Sequence, residues 1–116
     1  MGELPPQVQN LVAQLQQLQQ QLQAVITQRS QVEAMLREAE RALQELERVG
    51  DDTPIYKAVG NVLIKEEKEK VVQDLTEKKE TYEIRIKTLQ RQEERLRERF
   101  AETQRKLQGM LSPQAG

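Results

Sequence analysis

Asp51 and Asp52, adjacent in "GDDTP", are the carboxylates whose type and spacing come nearest to a metal-ligand pair. Glycine, aspartate, threonine and proline in that order make a loop, so the two are read as turn and solubility residues. Other Asp and Glu pairs are plentiful, but they fall on exposed helix faces with no concave pocket to shift their pKa values. The chain has no histidine and no cysteine, which removes the commonest general base, the commonest zinc ligands, disulfides and thiolate sites together. "VGNVLIK" has one glycine and lacks the spacing of a phosphate-binding loop. The expectation is a protein that is not an enzyme and needs no cofactor, acting through non-covalent contacts.

The elements that must position such contacts show in the apolar spacing. From Val8 the apolar residues recur three and four apart at Leu11, Leu15, Leu18, Leu22, Val25, Val32, Leu36, Ala39, Leu43 and Leu46, interrupted at Arg29. The same beat returns at Val72, Leu75, Tyr82, Ile86, Leu89, Leu96, Phe100, Leu107 and Met110, with Lys79, Glu93 and Thr103 at the remaining positions. A seven-residue repeat sustained this long keeps one stripe facing a partner helix, the pattern of a coiled-coil seam. Each arm spans roughly 40 residues, or about 60 Å of helix. Pro5 and Pro6 suit the start of the first helix, Gly50 can take the left-handed backbone that closes it, and Ser112-Pro113 marks the end of the second. Glu66, Glu67 and Glu69 favour the second helix's amino end, although no capping residue precedes them.

Only about 20 residues separate the arms, so the chain is expected to fold back as an antiparallel pair with both termini at the end away from the connection. Position numbers adding to about 118 or about 125 would pair across the seam. In either register Arg29 and Glu93 come within one turn of each other, where pairing would relieve two partly buried charges.

Between the arms stands "IYKAVGNVLIK", residues 55–65. Two β-rich runs around Gly60-Asn61 are the signature of a hairpin with a type II′ or I′ turn. A two-stranded hairpin is marginal in water by itself, and the run Val62, Leu63, Ile64 with two open edges invites pairing with other chains. The arms cannot cover it, since their apolar stripes face each other. Something outside the polypeptide must complete the sheet, and closure into a barrel leaves no edge. The fold class is therefore mainly α: two long antiparallel coiled-coil helices joined by a single β-hairpin that contributes to an intersubunit β-barrel. Its parts are an arm over 1–50, the hairpin assembly element over 51–66 and a second arm over 67–116, forming one domain overall. The assembly residues are Ile55, Tyr56, Val59, Gly60, Asn61, Val62, Leu63 and Ile64.

Composition agrees with this reading. The chain is 36% apolar and 32% charged, with one Phe, two Tyr and no Trp, a poor balance for a globular core. Eighteen Lys and Arg nearly cancel nineteen Asp and Glu, so no strong field recommends nucleic acid or an anionic membrane. With no long apolar run and no secretion signal, a cytosolic location is expected. The dense Glu, Lys and Arg content fits a thermophile.

"DDTPIYKAVGNVLIKEEKEKVVQDL" (51–75) resembles the centre of the beta-type, single-hairpin subunit of archaeal prefoldin. "LPPQVQNLVAQLQQLQQQLQAV" (4–25) and "LQRQEERL" (89–96) are similar to that subunit's arms. The resemblance implies a hexamer of two alpha-type and four beta-type subunits, with hairpins joined in a double β-barrel and six coiled coils projecting from it. It also implies an ATP-independent holdase that binds non-native proteins at the coil tips and passes them to a group II chaperonin. Tip contacts would then fall on Leu4, Val12 and Leu111, which lie off the seam, and on Val8, Leu11, Leu107 and Met110, which fraying would open. Gln fills 11 of the 25 positions from 7 to 31, which reads first as a neutral solvated helix face and, in the alternative, as uncharged amides that solvate an apolar patch without repelling clients of either sign. A coiled-coil scaffold or adaptor without chaperone activity is the alternative; it accounts for the arms and leaves the hairpin unexplained.

Overall fold

A computed structural model describes residues 4–112. The elements run α1 (Pro6–Arg48), β1 (Ile55–Val59), β2 (Val62–Glu66) and α2 (Lys68–Leu111). Pro6 opens α1, where the missing N–H has no intrahelical use, and the carbonyl of Pro5 accepts the first helical bond from the Gln9 N–H at 3.0 Å. At the start of α2 the Glu67 carbonyl accepts from the N–H groups of Lys70 and Val71, both at 3.1 Å. That helix begins without a capping side chain, as its sequence implies.

The chain divides into two compact units, one formed by residues up to Arg29 with those from Thr88 onward, the other by residues 30–87. In the first, the two helix segments lie side by side and run in opposite directions. Leu18 lines a hollow with Thr103, and Val25 lines one with Leu96, so numbers fall along α2 as they rise along α1. Val8 and Leu89 are buried here, and so is Thr103. The Thr103 hydroxyl donates to the carbonyl of Arg99 at 2.8 Å, one turn back in its own helix, which satisfies this buried polar group within the seam. Most other seam residues stay half-buried. Two helices have no third layer to enclose them, so stability accumulates through repetition.

Arg29 and Glu93 interrupt the apolar pattern and meet: Arg29 Nε donates to Glu93 Oε1 at 2.8 Å. The other carboxylate oxygen, Oε2, accepts from Nε and Nη2 of Arg97 at 3.0 and 2.8 Å. Glu93 therefore has both oxygens engaged by guanidinium groups. The hydrogen bonds from Arg97 hold its carboxyl below the ordinary value of 4.5, with the bond from Arg29 and the charge of both arginines adding to this against the opposing effect of burial.

In the second unit, Val32, Ala39 and Ile86 form the buried apolar seam. The expectation for Gly50 is corrected here: among the described residues Gly60 alone has a positive φ, so no left-handed glycine closes α1. Lys68, the first residue of α2, does part of that work, its ammonium donating to the carbonyl of Val49 at 2.9 Å and to Asp51 Oδ1 at 3.4 Å. A cation from the start of α2 thus satisfies a free carbonyl and faces the negative end of the α1 dipole. Gly50 instead joins the loop, its carbonyl accepting from the Thr53 N–H at 3.1 Å.

Candidate functional site

The hairpin forms because β-branched and aromatic residues flank a two-residue glycine turn. Ile55 pairs with Glu66, Tyr56 with Lys65, Lys57 with Ile64, Ala58 with Leu63 and Val59 with Val62. Gly60 has φ +58° and Asn61 does not share the positive sign. Of the two expected turns this selects type II′, which needs glycine at its first central position only. A Cβ at Gly60 would meet no atom within 4 Å, so glycine is required by the backbone angle and not by crowding.

Side chains alternate across a strand. Directly paired residues share a face, so one face carries Ile55, Lys57, Val59, Val62, Ile64 and Glu66, and the other carries Tyr56, Ala58, Leu63 and Lys65. Neither face is covered. Val59, Val62 and Ile64 are 49%, 58% and 45% exposed on the first, and Tyr56 and Leu63 are 57% and 69% exposed on the second. The described sheet has two strands, leaving the outer edge of each with backbone groups unpaired by a strand. Five large apolar side chains on two faces and two bare edges leave this hairpin an unfinished surface.

At the helix ends the expected contact residues separate into three groups. Leu4, Met110 and Leu111 are 52%, 50% and 57% exposed; Leu11, Val12 and Leu107 are half-buried; Val8 is 4% exposed and packed in the seam. The side-chain amide of Gln9 donates to the Leu4 carbonyl at 2.7 Å, anchoring the chain that carries Leu4. Gly109 lies inside the last turns of α2, where a Cβ would meet nothing within 4 Å. Glycine lowers helix propensity there by about 1 kcal/mol relative to alanine, so this end of the helix is intrinsically soft.

Asp51 is almost wholly exposed and engaged with Lys68, and among the described residues no acidic group is clustered as a metal site. Lys68, which bonds the Val49 carbonyl, is the structural contact that sequence reasoning missed. A signal was present: a cation at the amino end of a helix opposes its own dipole, which points to a partner elsewhere. No described helix is long and apolar enough to cross a membrane.

The prefoldin subunit family model matches residues 9–114. The chain is 81% identical over 116 residues to prefoldin subunit beta of Archaeoglobus fulgidus, covering all of both chains. It is 52% identical over 116 residues to prefoldin subunit beta of Methanocella arvoryzae, covering all of this chain and 92% of that one. Its fold is similar to the crystal structure of the prefoldin beta subunit from Thermococcus strain KS-1, with a TM-score of 0.88 and 44% identity over 97% of this chain and 99% of that one.

Proposed function

The chain belongs to the prefoldin family, and from that membership we propose that it is one subunit of an ATP-independent holdase that captures non-native proteins at the helix ends and delivers them to a group II chaperonin. It works in the cytoplasm as a beta-type subunit, in a hexamer of two alpha-type and four beta-type chains. Residues 51–66 are its assembly element and the two helical arms its reach toward clients.

The observation that carries this reading is the hairpin with apolar side chains exposed on both faces. One face of such a ribbon can line a barrel built with neighbouring hairpins while its edges pair with theirs, which removes exposed apolar area and unpaired backbone together. Client contact falls first to Leu4, Met110 and Leu111, already exposed, and then to Leu11, Val12 and Leu107. Val8 joins only when the coil end opens. Methionine adapts its shape to varied partners, and several weak ends on one assembly hold a chain better than one tight site would.

The test dilutes a denatured protein into buffer containing the chain and an alpha-type subunit, without nucleotide, and follows aggregation by light scattering. Suppression that is unchanged by adding ATP supports the holdase. A defined complex that leaves aggregation unaltered supports a scaffold.

A further inference from the structure

Beside the seam of the first unit, two adjoining hollows of about 290 and 450 Å³ share Gln21 and Arg99 as lining residues and together make a groove. Its larger part has Val25 and Leu96 in its floor and Gln21, Gln28, Arg95 and Arg99 around it. Arg95 and Arg99 are one helical turn apart on α2 and both exposed, so their guanidinium groups line the same side. Neither guanidinium makes a hydrogen bond or ion pair to a described residue, whereas Arg97 between them is committed to Glu93. No carboxylate lines the larger part of the groove, and Glu102 lines the smaller.

We infer that this groove is a docking site for a polypeptide segment carrying a carboxylate beside an aliphatic side chain. The occupant follows from charge and polarity: two unpartnered guanidiniums match carboxylates in planar, bidentate geometry. The apolar floor accepts an aliphatic group, and the glutamine amides can both donate to and accept from a peptide backbone. A cationic segment would meet two like charges with no compensating acid in the larger hollow. The site lies away from Leu4, Met110 and Leu111, and it gives the protein a preference among bound segments that the uncharged helix ends do not supply.

Fluorescence anisotropy on the full chain in its assembled form tests this, using a fluorescein-labelled peptide of alternating Leu and Glu pairs and its counterpart with Gln for every Glu. The Glu peptide should bind about tenfold more tightly, equivalent to about 1.4 kcal/mol from two exposed charge contacts, and the preference should shrink as salt is raised. Arg95→Gln with Arg99→Gln should abolish the preference while helicity by circular dichroism stays unchanged. Leu4→Ser, Met110→Ser and Leu111→Ser together should leave it intact. Equal binding of both peptides by the unaltered protein overturns the inference, as does a preference that survives in the arginine variant or vanishes in the helix-end variant. Because the readout is direct binding, a failure here leaves the holdase reading standing, and a failure of aggregation suppression leaves the groove standing.

Discussion

Lys68 Nζ lies 2.9 Å from the carbonyl oxygen of Val49, so the first residue of α2 satisfies a backbone acceptor just beyond the last residue of α1. Hydrogen bonds to charged groups contribute about 1.5–3 kcal/mol when sheltered, and this one is partly exposed. Lys68→Met should therefore destabilise the chain by about 1 kcal/mol, lowering the melting midpoint by about 4 °C. Lys68→Arg should recover part of the loss. A melting curve unchanged in Lys68→Met would show that water serves the Val49 carbonyl equally well.

Glu93 provides the pH dependence. Its carboxyl is held below its ordinary 4.5 in the folded chain, so the folded form binds a proton less readily than the unfolded form. The resulting stabilisation is complete above about pH 4.5 and is lost as pH falls through the folded value. Glu93→Gln should cost about 1.5 kcal/mol at neutral pH, because Arg29 and Arg97 lose a charged acceptor. It should also flatten the fall in melting temperature below pH 4.5. An acid profile identical in the variant would remove Glu93 from the account.

Much of this molecule could be read from its residues, for a simple physical reason: each helix has one partner, so burial is confined to one stripe and the apolar period reports it directly. The Arg29–Glu93 pair was readable on the same ground, as two seam positions that both hold charge within reach in either plausible register. The hairpin was readable because glycine and asparagine between β-branched runs leave few alternatives, and the sign of φ at Asn61 then decides between two turn types. The end of α1 was misread at Gly50, since local sequence shows a glycine that could adopt the left-handed angle but cannot show that a lysine 18 residues later supplies a competing solution. Val8 lies both near a terminus and on the seven-residue period, and it is buried in the seam, as the period implies.

Substitution in the hairpin should separate assembly from helix formation. Val62→Asp or Ile64→Asp places a charge on the face shared with Val59, where burial against neighbouring hairpins would strand it unpaired at a cost of several kcal/mol. The proposed assembly should dissociate, as read by light scattering, while helical circular dichroism at low temperature stays near that of the parent. An intact assembly carrying either aspartate would place that face outside the interface.

Softness at the end of α2 is testable at Gly109. Gly109→Ala adds a methyl group with no clash and should stabilise the last turns by about 0.5–1 kcal/mol, seen as slower hydrogen exchange from residue 105 onward. If clients engage seam residues exposed by fraying, aggregation suppression should weaken in this variant. Undiminished suppression would confine client contact to the residues that are already exposed, Leu4, Met110 and Leu111.

The claim on which the rest depends is that the strands from Ile55 to Glu66 are completed by other subunits. Hydrogen exchange of the strand amides measures this directly, comparing the chain alone at high dilution with the chain assembled with an alpha-type subunit. The account predicts rapid exchange at the outer strand edges of the isolated chain and strong protection on assembly. Full protection of those amides in a dilute monomer would contradict it.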